Sequence, residues 1–205
     1  MGHPSINSIY TQSISRLKVV EKYIIKAQLL PPDLYGFVAE IMLLRIFSTI
    51  EFAVRETAIR IACGVPYRDG VFPSHLIIQC ANLSDAIDKF KTYNRGTTPV
   101  SKLQFTNVKN TNKSIKHIID VNESFRQKLN AYGVVFEEMR KVRNHIAHRN
   151  SSTGKDFKAV IRQKYGGDLR LKPSVFLVSL KRQSKANIDI YLQTAKIMVN
   201  EITTS

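Results

Sequence analysis

LYGFVAEIMLLRIFSTIEFAVRETAIRIAC, residues 34–63, is the stretch on which the reading of the fold turns. It contains no proline and one early glycine, and it runs into Gly64, a residue suited to the position just past a helix end. As a single helix it would extend about 45 Å at 1.5 Å per residue. Apolar side chains (Phe37, Val38, Ile41, Leu44, Phe47, Ile50, Val54, Ala58, Ile61) occupy most of its circumference. A helix of that kind belongs at the centre of a bundle, covered on several sides. Its charged members Glu40, Arg45, Glu51 and Arg55 then need ionic partners or a solvent-filled groove.

Working outward, Ile6, Ile9, Ile14, Leu17, Val20, Ile24 and Ala27 recur at helical steps and predict a first helix over 6–30. Pro31-Pro32 ends it, and Asp33 is expected as the N-cap of the long helix. Gly64, Pro66, Gly70 and Pro73 mark a loop over 64–82, and a short helix is expected at 83–93. A further loop is expected at 94–107, followed by helices at 111–130 and 132–149. SSTGK, 151–155, reads as a turn. The segments 157–164 and 169–172 flank Tyr165-Gly166-Gly167-Asp168 and predict a small hairpin or extended insertion near 157–172. A last helix is expected at 184–202. The expectation is one mainly α domain across 1–205, a helical bundle with long antiparallel helices.

The chain has 205 residues and 43% hydrophobic composition, enough to bury a real core. Lys+Arg number 31 against 16 Asp+Glu, a net charge of +15. Residues 1–100 carry 11 basic and 8 acidic side chains, whereas 101–205 carry 20 and 8, so the excess lies in the second half. A basic half suggests a polyanionic partner, RNA or DNA before others; positive charge serving solubility, or an acidic protein partner, are the alternatives. Cys63 and Cys80 are the only cysteines and have no CxxC spacing, so a reducing cytosol is expected. MGHPSINSIY lacks the regions of a signal peptide, and Ile6 stands where a myristoylation signal needs Ser or Thr. No uncharged apolar run approaches the roughly 18 residues of a membrane span.

The basic half contains EEMRKVRNHIAHRN, 137–150. His145 and His148 lie three apart, but His75 and His117 are distant and no Cys or carboxylate stands at ligand spacing, so no metal site is expected. A helix C-terminus favours basic side chains and accounts for some of the pattern. The chemical reading starts from metal-free RNA cleavage, in which the ribose 2′-OH attacks its own phosphodiester. Histidine moves protons near neutral pH, and arginine neutralises charge on phosphorus oxygens. Arg143 and His148 supply both, yet five positions on a straight helix set them about 140° apart. Either the helix frays after Asn144, or a symmetry mate completes the site.

Arg143-Asn144-His145-Ile146-Ala147-His148 resembles the R-x4-6-H motif of the HEPN superfamily, in which a polar residue usually follows the Arg. The all-α layout and long second helix are also similar, most of all to the RiboL-PSP type of ribonuclease toxin. The resemblance implies a homodimeric, cofactor-free and metal-independent endoribonuclease, often the toxin of a toxin–antitoxin or phage-defence pair. Its expected substrate is single-stranded or looped RNA, such as tRNA or mRNA, and a cognate antitoxin protein is an expected partner. By the same resemblance Arg143 would polarise the scissile phosphate, His148 would act as general base or acid, and Asn144 would orient one of them or bond the phosphate. His145, Arg140 and Arg149 would contact substrate; Arg140 with His145 forms a second, poorer R-x4-H pair because Lys141 follows the Arg. Glu51 is similar to an acidic residue of the family's long helix and would pair with the motif Arg, or serve as a salt bridge inside the bundle. Phe157, Tyr165 and Phe176 lie among Lys155, Lys158, Arg162, Lys164, Arg170 and Lys172, a pattern that suits either a strand-stacking surface or a core with solvated lysines.

Overall fold

A computed structural model of the chain describes residues 5–93, 103–167 and 169–205. The described residues are mainly α-helical: α1 (Ile6–Ala27), α2 (Pro32–Ala62), α3 (Leu83–Tyr93), α4 (Val108–Ile115), α5 (Ser124–Ala131), α6 (Gly133–His148), α7 (Ser151–Tyr165), α8 (Pro173–Val178) and α9 (Asn187–Ile202). One isolated antiparallel bridge joins Leu76 to Ile119. Among the described residues no helix is long and apolar enough to cross a membrane. The expected loop at 94–107 lies for the most part outside the described residues.

The long helix forms as the pattern requires. Pro32 opens it with a pre-set φ, Asp33 sits in its first turn rather than at the N-cap, and Gly64 turns the chain at φ +75° beyond its end. Its C-terminal turns are closely covered: Ala53, Val54, Ala58, Ile61 and Ala62 are fully buried. Arg60, buried there too, is held by Glu56 at 2.6 Å. The N-terminal turns differ from the expectation, since Leu34, Phe37 and Ile41 face solvent.

Two compact units divide the chain, the first made of Met1–Ile14, Ile50–Val134 and Ile197–Ser205, the second of Ser15–Thr49 and Val135–Lys196. In the first, Phe90, Ile115, Ile118, Phe125, Leu129, Val199 and Ile202 are among the buried side chains. Its loop over 64–82 is organised by the buried carboxylate of Glu123. That group accepts the Tyr67 hydroxyl at 2.5 Å and the backbone N–H groups of His75 at 2.8 Å and Ser74 at 3.1 Å. Burial of the ring drives the Tyr67 phenol pKa far upward, and the neighbouring carboxylate raises it further.

The single helix expected at 111–130 is two helices, α4 and α5. Asp120, Asn122 and Glu123 break it, because their side chains offer the backbone other partners: Asp120 accepts the Asn122 N–H at 2.9 Å, and Glu123 caps α5.

The second unit buries Leu43, Ile46 and Phe47 of α2, Phe136, Met139 and Val142 of α6, and Tyr191 and Leu192 of α9. Phe47 meets Phe136 at a centroid distance of 5.4 Å. Here the hairpin expectation is corrected. Residues 151–155 and 157–164 belong to α7, and of the two segments expected to pair only 169–172 is without helix. Asn150 accepts the Thr153 N–H at 2.9 Å while Thr153 Oγ1 accepts the Asn150 N–H at 3.2 Å, a capping box that starts the helix. Phe157, Val160, Ile161 and Tyr165 then fall on one buried helical face, and Gly166 ends it at φ +71°. The helix α8 has no counterpart among the expected elements; Pro173 starts it, and Phe176 packs edge-on to Phe157 at 5.5 Å and Tyr165 at 5.9 Å.

Candidate active site

The motif stretch occupies the last two turns of α6, wholly within the second unit. The helix continues unbroken to His148, so it does not fray after Asn144. It stops at Arg149, which takes the left-handed conformation at φ +41° while its N–H still bonds the His145 carbonyl at 3.0 Å. Asn150 then opens α7. Arg143 and His148 therefore diverge by about 140°, whereas Asn144/His148 and His145/Arg149, each four apart, share two separate faces.

Arg143 is half-buried. Its guanidinium donates to Asn144 Oδ1 at 3.1 Å and lies 5.6 Å from the centre of the Phe47 ring. His148 is exposed in the final turn. Arg140 forks onto the Glu137 carboxylate at 2.6 and 2.8 Å, which raises its pKa further and neutralises the cation. Glu51 stands half-buried on α2 within the first unit.

His145 is the most constrained of the motif side chains. Its ring stacks on Phe157 at 5.1 Å with 20° between planes, and Nδ1 lies 3.2 Å from Thr153 Oγ1. Burial lowers its pKa, the Arg149 charge lowers it further, and Glu40 opposes both. Arg149, largely exposed, reaches the nearly buried Glu40 with Nη2 to Oε2 at 3.1 Å.

His145, Arg149 and Glu40 line a groove of about 760 Å³, together with Asp33 and Phe37 of α2 and the segment Arg170 to Val175. Of the expected basic–aromatic surface, only Arg170 and Lys172 reach this groove. Phe157, Tyr165 and Phe176 are core residues, and Lys164 is bound to Glu138 at 3.0 Å. Phe37 and Glu40 are visible in the sequence as an apolar and a charged member of α2, but nothing local marks them as belonging with His145. Among the described residues no group of three or more His, Cys, Asp or Glu side chains is placed to hold a metal ion.

Compared with known proteins, the chain matches no family model, no curated protein and no solved structure.

Proposed function

We propose that the protein is a HEPN-like, metal-independent endoribonuclease that cuts single-stranded or looped RNA in the cytosol, where Cys63 and Cys80 remain thiols. The observation that carries the reading is the end of α6, where Arg143, Asn144, His145 and His148 stand within two helical turns. In the reaction the ribose 2′-oxygen bonds to the adjacent phosphorus and its proton passes to His148. The P–O5′ bond breaks, O5′ takes up a proton from water, His148 returns its own proton to water, and the products are a 2′,3′-cyclic phosphate and a 5′-hydroxyl. Arg143, oriented by Asn144, neutralises the phosphorus oxygens as their charge grows. Protonic catalysis of this type contributes about 10²–10⁴-fold.

Because Arg143 and His148 diverge on one continuous helix, a site using both needs two helix ends. We assign Arg143 to one protomer and His148 to its partner across a two-fold axis. Mixing tests this. Arg143→Ala and His148→Ala should each be inactive, and their mixture should regain up to about a quarter of wild-type activity, since half the dimers are mixed and each holds one intact site. A mixture that stays inactive, with both variants dimeric, refutes the shared site. The half-buried packing of Arg143 on Phe47 and Asn144 also suits a non-catalytic RNA-binding module, which would retard RNA without cutting it. An antitoxin protein that masks this basic surface is the expected partner in the cell.

A further inference from the structure

The groove on the His145 face of α6 is not used by Arg143 or His148, and its lining is chemically mixed. Arg149, Arg170 and Lys172 offer positive charge, Asp33 and Glu40 carry negative charge, and Glu40 is already met by Arg149. Arg170 and Lys172 are exposed to solvent. Phe37 also lines the groove and keeps 60% of its surface accessible, an unusual position for a Phe in the first turns of a helix whose later apolar residues are mostly buried. A volume of about 760 Å³ lies within the range of small-ligand sites, roughly 300–1,000 Å³. Cations alone would suit any anion. Cations beside a bare aromatic face and hydrogen-bond acceptors suit a nucleotide, which carries a phosphate, a stacking surface and donors together.

The His145 ring adds direction. Thr153 Oγ1 lies 3.1 Å from the Asn150 carbonyl oxygen, which can only accept, and 3.2 Å from His145 Nδ1. A threonine hydroxyl has one proton. Both contacts are hydrogen bonds at once only if that proton goes to the carbonyl and His145 donates from Nδ1. The lone pair is then on Nε2, so His145 presents an acceptor. Burial and the Arg149 charge, against Glu40, favour the neutral ring that this role needs. The stack on Phe157 fixes the ring plane, so the acceptor is directed rather than rotating.

We propose that this groove seats one nucleotide of the RNA strand flanking the cut, with its base on Phe37, its phosphate on Arg170 and Lys172, and a base or ribose donor on His145 Nε2, and so sets which sequence is cleaved. The proposal rests on the endoribonuclease reading for the identity of the polymer, while the groove itself stands on its own geometry. His145 acts here as a specificity residue, separate from the proton transfer at His148.

The test uses the full-length protein and fluorescein-labelled 2′-O-methyl hexanucleotides of A, C, G and U, which cannot be cut by 2′-oxygen attack. Fluorescence anisotropy is read across a salt series in EDTA, beside cleavage of unmodified RNA. Phe37→Ala should weaken binding about 10-fold or more, the scale of removing one base stack, with Phe37→Tyr restoring it. Arg170→Ala with Lys172→Ala should weaken binding and flatten the log–log salt slope by about 0.7 for each phosphate no longer neutralised. His145→Ala should compress the ranking among the four oligonucleotides, and in cleavage it should raise KM more than it lowers kcat. Phe37 and the two cations are at the surface, so melting curves will show these variants folded. Wild-type affinity, ranking and salt slope in all of these variants would overturn the groove assignment, even if RNA is cleaved normally. Groove variants that lose binding while wild-type protein leaves RNA intact would uphold the groove and overturn the nuclease.

Discussion

Replacing Thr153 with alanine removes one oxygen that does three things. It accepts the Asn150 N–H at 3.2 Å, donates to the Asn150 carbonyl at 3.1 Å, and meets His145 Nδ1 at 3.2 Å. Loss of the capping bonds costs about 1 kcal/mol. Loss of the histidine bond costs about 0.5–1.5 kcal/mol. Alanine is the better helix former and offsets roughly 0.5 kcal/mol. The net is about 1–2 kcal/mol, or about 2–8 °C in Tm for a chain of this size. The informative readout is the ring. In the wild type, ¹⁵N NMR should show His145 protonated on Nδ1; in Thr153→Ala the commoner Nε2–H form should take over, and Thr153→Ser should restore the first state. A His145 tautomer that is Nε2–H in the wild type, or unchanged in Thr153→Ala, refutes the directed acceptor.

Other expectations follow from the same interactions. Glu40→Gln removes the charge that holds the His145 pKa up, so the ring should titrate at lower pH than in the wild type when followed by NMR. Because folding lowers this pKa, the unfolded chain takes up the proton first. The contribution of His145 to stability is thus complete above about pH 6.5 and falls as pH drops below it, and His145→Gln should flatten that part of a Tm–pH curve. Phe157→Ala takes away a 2% exposed ring that supports both His145 and Phe176, and should cost about 3–5 kcal/mol in urea unfolding. In the first unit, Glu123→Ala leaves the buried Tyr67 hydroxyl and the Ser74 and His75 N–H groups without their acceptor; a loss of about 3 kcal/mol or more is expected by the same assay.

Local pattern is enough where one element carries its own signal. The apolar steps of α1, the uninterrupted run of α2 between Pro32 and Gly64, and the short α3 are all legible from spacing and punctuation. Two segments mislead. Gly166-Gly167 suggests the tip of a hairpin, although Gly166 is a left-handed helix stop and Asn150 with Thr153 announces a helix start. Asp120, Asn122 and Glu123 sit inside a stretch whose spacing suggests one helix, although such side chains compete for backbone N–H groups. The residues of the α6 end are legible because they are consecutive. The groove is not, since Phe37 and Glu40 line it with His145 and Arg149 across more than a hundred positions, and Arg170 and Lys172 arrive from a third segment. Only the packing of α2, α6 and the chain after α7 within the second unit brings them together.

The central claim, proton transfer by His148 in metal-free RNA cleavage, is tested most directly by incubating purified wild type and His148→Ala with total cellular RNA in EDTA and mapping the new ends. Wild-type protein should cleave and leave 2′,3′-cyclic phosphates, and the folded variant should not cleave. Intact RNA with both proteins, cleavage that survives His148→Ala, or activity that appears only when Mg²⁺ is supplied would contradict the claim.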